Sequence, residues 1–194
     1  NFFMRKFVYL IFAIVFTVMN VFADDSIIVN QANMYYAENN LEDAFSLLLT
    51  IPQETRTPQN WILLGNILQD KGRNDDAEFM YHQAASNDAK YYKAPYNLGN
   101  LYLDEEKPNM AIEQYKIVTK LKPDFAYAYY NMGCAYLRLG KLKDARNNFA
   151  KAIDIKPTEA DFHYNMAYTL KKLNKTKDAQ TFLDYYNKIK ENNI

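Results

Sequence analysis

Five alanines recur along this chain with almost constant spacing. Ala44, Ala77, Ala111, Ala145 and Ala179 lie 33, 34, 34 and 34 residues apart. The 34 residues from Ala126 to Glu159 serve as a ruler, and stepping back or forward by that length lands on comparable sequence each time. Repeats fall at 58–91, 92–125, 126–159 and 160–193, with a divergent first one at 25–57. All five glycines obey the same register: Gly65, Gly99 and Gly133 share one phase, Gly72 and Gly140 another. In the end repeats, Ala32 and Ala167 hold the first of these phases. A fixed period of this length marks a chain built of small units that bury their apolar faces only by stacking on one another.

Within a repeat, apolar residues return at helical spacing, as in Trp61, Leu64 and Leu68, then Phe79, Met80 and Ala84. Each repeat therefore reads as two antiparallel helices. A small residue such as Gly99, set opposite Ala111, lets the two approach closely. Gly72 and Gly140 stand where the first helix must end and suit a left-handed cap. Pro123 and Pro157 stop the second helix, and Pro108 suits the first turn of one. Tyr81, Tyr115 and Phe149 are the large side chains expected to fill the space between repeats. In the first repeat, Thr50-Ile51-Pro52 ends the second helix early.

The rest of the composition excludes more than it suggests. The chain has 23 basic and 23 acidic side chains, and beyond residue 23 the balance is 21 to 23, so there is no clustered basic footprint for nucleic acid. A single cysteine, Cys134, allows neither an internal disulfide framework nor a Cys-rich zinc site. His82 and His163 fall in different phases, so they do not share a metal or catalytic site. No phosphate-binding glycine loop, nucleophile elbow or H-E-x-x-H motif occurs. The acidic runs Asp75-Asp76 and Asp104-Glu105-Glu106 belong to helix starts and turns. No catalytic residue, cofactor, metal, small-molecule substrate or nucleic acid is expected, and no enzyme.

Residues 1–23 read as an address. Met4-Arg5-Lys6, the uncharged run from Phe7 to Met19 and the small-residue exit Val21-Phe22-Ala23 are the three parts of a secretory signal. The apolar run is short for a membrane-spanning helix, which needs about 20 apolar residues. Export to a periplasmic or extracellular space with cleavage after Ala23 is the expectation; a tether left uncleaved is the alternative.

The repeat resembles the tetratricopeptide repeat, whose signature is W-x2-L-G-x2-Y followed by A, F and P at fixed offsets. The second repeat has Trp61, Leu64, Gly65 and Ala77. The third has Leu98, Gly99, Tyr102, Ala111, Tyr115 and Pro123. The fourth has Met132, Gly133, Tyr136, Ala145, Phe149 and Pro157. The resemblance implies an all-α, right-handed superhelical solenoid of about five helix pairs, its first helices lining a concave groove for a partner protein. It further implies that one stripe of each first helix faces that groove. Tyr96, Tyr130 and Tyr164 form one such column, continued by Ile62 and Val29. Asn97, Asn131 and Asn165 form a second, and Asn33, Asn66 and Asn100 a third. Asparagine offers both donor and acceptor, so a ladder of them suits an extended peptide backbone; the alternative is that these side chains bond between repeats. Arg138 and Lys172 make the C-terminal part of the groove basic, or are simply solvated. The lysine by which some members of the family clamp a carboxylate is missing from the tyrosine column.

Two roles follow. The first is a scaffold binding an extended partner segment in the groove. The second is an assembly factor of an envelope or secreted complex, acting through exposed ends or the convex face. Phe182, Leu183 and Tyr186 of the last repeat are either partly exposed or covered by another surface, self-association included.

Overall fold

The computed structural model describes residues 25–192. The expected leader, 1–23, lies outside them, as does the final residue of the last repeat. Among the described residues all regular structure is helical. The helices are α1 (25–37), α2 (Leu41–Leu49), α3 (Pro58–Asp70), α4 (Asn74–Asn87) and α5 (Lys93–Asp104), then α6 (Pro108–Leu121), α7 (Ala126–Arg138), α8 (Leu142–Ile155), α9 (Ala160–Lys172) and α10 (Thr176–Asn192). Two helices fall in each repeat. The chain divides into two compact units at Met80/Tyr81, within α4.

The first helix of every repeat ends the same way. Asn39, Gly72, Glu106, Gly140 and Asn174 all have φ between 59° and 73°. At Gly72 the N–H donates to the Gln69 carbonyl and the next N–H, of Arg73, to Leu68, both at 2.8 Å. The equivalent pairs run from Gly140 to Leu137 and from Lys141 to Tyr136, and from Glu106 to Leu103 and from Lys107 to Tyr102. This is a Schellman cap, and it satisfies carbonyls that the helix leaves without a partner. Sequence reading found it only at the two glycines. At the other end of the helix pair, α6 and α8 stop before Pro123 and Pro157, with Lys122 and Lys156 already out of helical conformation, since a residue ahead of proline is pushed out of helical backbone.

In the first unit, α3 opens with a capping box: Thr57 Oγ1 accepts from the Asn60 N–H, and Asn60 Oδ1 from the Thr57 N–H. α2 packs on α3 but has only nine residues, cut short at Thr50 as the sequence indicates. Trp61, Leu64, Leu68, Ala77 and Ala84 are buried, whereas Phe79 is exposed. The apolar pattern of α4 had placed Phe79 on the inner face. Ala77, Tyr81 and Ala84 form that face instead, and Phe79 sits about 200° round the helix from Ala77.

In the second unit each helix from α5 to α10 packs on the next, and α5, α7 and α9 also touch one another in turn. Its core shows which side chain lies nearest the small residue of the first helix: at Gly99 it is an aromatic ring of the partner helix. A Cβ added there would meet the ring of Tyr115 at 2.5 Å, and one added to Gly133 would meet the ring of Phe149 at 2.6 Å. The glycine is a seat for the aromatic four residues past the alanine. Both rings are fully buried, and burying a side chain of this kind contributes roughly 1.5–3 kcal/mol.

Candidate peptide-binding face

The candidate face is carried by α5, α7 and α9 of the second unit. Asn131 on α7 reaches back one repeat, its Nδ2 donating to the Tyr96 hydroxyl at 3.3 Å and to Asn100 Oδ1 at 2.8 Å. Asn100 Oδ1 also accepts from the Tyr115 hydroxyl at 2.8 Å. One repeat on, Asn165 Nδ2 donates to the Tyr130 hydroxyl at 2.7 Å and lies 4.0 Å from Cys134 Sγ, which stands in the Asn100 phase. Both amide hydrogens of Asn131 and of Asn165 are thus spent on joining repeats, while the two side-chain carbonyls have no partner among the described residues. Asparagine's dual character is divided between these tasks.

The other predicted asparagines differ. Asn33 is exposed and donates to the Val29 carbonyl of its own helix at 2.9 Å. Asn66 and Asn97 are half-buried, and neither is free.

The tyrosine column is not uniform. Tyr96 lies edge-on to Phe125 at 5.0 Å and 6.2 Å from Tyr115. Tyr130 stacks on Phe162 at 4.7 Å and touches Phe149 at 5.7 Å. With Tyr127 between Phe125 and Phe162, these rings form one continuous aromatic wall across the repeats. Burial pushes the Tyr96 and Tyr130 hydroxyls above the usual tyrosine range. Tyr164, by contrast, is 50% exposed, as is much of Tyr168 on the next turn of α9.

Of the two predicted cations, Arg138 donates through Nη1 to the Leu103 carbonyl in the last turn of α5. It lines a surface pocket with Asp104, Glu106 and Pro108. Its charge sits at the negative end of the α5 dipole. Lys172 is exposed, with its ammonium 5.5 Å over the Tyr168 ring. Tyr168, absent from the sequence-level candidates, is the addition the structure makes. Its signal was legible: it holds the phase of Asn66 and Asn100. The acidic residue sharing the Arg138 phase in the first unit, Asp70, accepts from the Tyr36 hydroxyl at 2.6 Å. Among the described residues no group of three or more metal-ligating side chains gathers. His163 is buried, with Nε2 donating to the Pro157 carbonyl at 2.7 Å.

Comparison with known proteins agrees with this architecture. No curated protein matches the chain. Among solved structures, MamA from Desulfovibrio magneticus RS-1 is similar with a TM-score of 0.76 at 20% identity, over 87% of this chain and 96% of that one. A Pseudomonas aeruginosa PilF structure gives 0.80 at 17% identity, over 87% and 78%. A further MamA structure gives 0.75 at 18% identity, over 84% and 95%. At such identities the likeness is one of fold. A family model described as TPR repeat matches residues 99–140 and 135–174, and one described as tetratricopeptide repeat matches 58–91. This chain belongs to the tetratricopeptide-repeat family.

Proposed function

We propose that the chain is an exported, non-enzymatic scaffold that holds an extended segment of a partner protein across the first helices of its third, fourth and fifth repeats. Repeats of this family generally mediate protein–protein interaction. The finer reading rests on one observation: the Asn165 carbonyl, freed by the inter-repeat bonds of its own amide, lies on the same helix as the exposed rings of Tyr164 and Tyr168, and the equally free Asn131 carbonyl lies on α7, which touches that helix. An extended segment presents backbone N–H groups to such acceptors and side chains to such rings. Lys171 and Lys172 favour a segment carrying acidic residues.

The test is selection of unstructured peptides from a displayed library on the purified protein, repeated with Tyr168→Ser combined with Lys172→Glu. Both side chains are exposed, so the melting temperature is expected to stay unchanged while the selected peptides lose at least tenfold in affinity. Undiminished binding, or a library from which nothing is retained, would overturn the reading. Export rests on the pattern in residues 1–23 and is tested by mass: the protein recovered outside the cytoplasm should begin at Asp24. An intact leader on cytoplasmic protein would contradict it.

A further inference from the structure

We propose that molecules of this protein join head to tail, α1 of one molecule docking on the α9–α10 face of the next in the repeat register. In the four later repeats, the positions equivalent to Ile27 are Asn60, Ala94, Ala128 and Phe162, and those equivalent to Met34 are Ile67, Leu101, Ala135 and Thr169. All eight are between 0% and 4% exposed, yet Ile27 is 65% and Met34 56% exposed. Phe162 shows what the first of these positions does, since it stacks on Tyr130 of the preceding repeat. Between them on α1 lies Asn30, in the phase of Asn131 and Asn165, exposed and with no hydrogen-bond partner among the described residues.

The last repeat carries the matching half. Tyr164 stands in the phase of Tyr96 and Tyr130, the acceptors of the two asparagine bonds, and its own hydroxyl has no partner among the described residues. Leu183 shares its phase with Leu48, Tyr81, Tyr115 and Phe149, all at most 1% exposed, but is itself only half-buried. Tyr186, in the phase of the fully buried Ala84, Val118 and Ala152, is likewise half-buried. One surface therefore holds an unused asparagine and two unused apolar side chains, the other an unused tyrosine hydroxyl and two half-covered side chains. Docked in register, Asn30 donates to Tyr164 as Asn165 does to Tyr130, and Ile27 covers the Tyr164 ring as Phe162 covers that of Tyr130.

Charge selects this occupant over others. Residues 25–57 carry five acids and one arginine, net −4; residues 160–192 carry six lysines and four acids, net +2. Like ends repel and unlike ends attract. Such a contact is heterologous, so it leaves a free copy of each surface and can propagate.

The experiment is sedimentation of the purified chain from about 1 to 100 μM, the range that reveals micromolar association. The wild type should form species whose mass rises with concentration and falls with salt. Met34→Glu spoils one surface and Tyr164→Glu the other; both residues are exposed, and circular dichroism checks that each variant folds. Each variant alone should remain monomeric. Mixed, they should form a dimer and nothing larger, because one intact surface of each kind is left. A monomeric wild type, association that survives Met34→Glu, or a mixture that stays monomeric would each overturn the proposal. So would protection of the α1 amides without a change of mass, which would mean that a segment of the same chain covers α1. Peptide capture through Tyr168 and Lys172 is read separately, so either proposal can fail alone.

Discussion

Gly99 lies against the ring of Tyr115, so close that a single added carbon would meet Cε1 at 2.5 Å. The ring is fully buried and its hydroxyl is tied to Asn100 at 2.8 Å, so it has nowhere to withdraw. Gly99→Ala improves helix propensity by about 1 kcal/mol, but overpacking a fixed aromatic costs about 1–3 kcal/mol. The second effect wins. Denaturant unfolding should show a net loss of about 1 kcal/mol or more. In combination with Tyr115→Leu the losses should sum to less than their separate values, because the clash is then gone.

Glu106 occupies a left-handed position, with φ at 59°, that glycine holds in two other repeats. An L-residue there costs roughly 1–2 kcal/mol, against about 0.5–1 kcal/mol of extra unfolded-state freedom brought by glycine. Glu106→Gly should therefore raise stability by about 0.5–1 kcal/mol. A variant with an unchanged or lower melting temperature would show that the turn is not strained.

Asn131 joins two repeats and Asn33 joins nothing beyond its own helix. With a net 0.5–1.5 kcal/mol for each hydrogen bond, Asn131→Ala should cost about 1–2 kcal/mol. Asn33→Ala should stay within about 0.5 kcal/mol of wild type, as surface changes do. Equal effects from the two would refute the division of labour among the asparagines. The same reasoning removes Asn100 and Asn131 as clean probes of partner binding, since replacing them loosens the repeats as well.

Burial pushes the Cys134 thiol up to about 11, from 9.0. The thiolate is the nucleophile. At pH 8, modification by a thiol reagent should therefore run about 100-fold slower than for a free cysteine, since the ionised fraction falls tenfold for each pH unit between the two. The rate should climb about tenfold per pH unit towards pH 11. The stability consequence has a definite sign. The fold favours the neutral thiol, so this contribution is complete below pH 9 and is lost as pH rises through 11. Tyr130, raised by burial in the same cluster, acts in the same direction. Melting temperature should be flat from pH 7 to 9 and decline above it, and Cys134→Ala should reduce but not abolish that decline. A maximum above pH 10 would contradict the assignment.

Periodicity alone set the helix pairs, their order, and the stops at Gly72, Gly140, Pro123 and Pro157, because those depend on backbone conformation within a few residues of each position. The same phases marked the asparagine and tyrosine columns. What the columns do was settled in three dimensions. Asn131 spends its donors on Tyr96 and Asn100 of the preceding repeat, Tyr130 is walled in by Phe149 and Phe162, and Arg138 turns onto the Leu103 carbonyl. Each of these choices depends on the distance between side chains of different repeats, and a period fixes register without fixing distance. The left-handed caps at Asn39, Glu106 and Asn174 stayed hidden for a related reason. The stacked helices impose that turn on whatever residue stands there, and glycine advertises it far more strongly than asparagine or glutamate does.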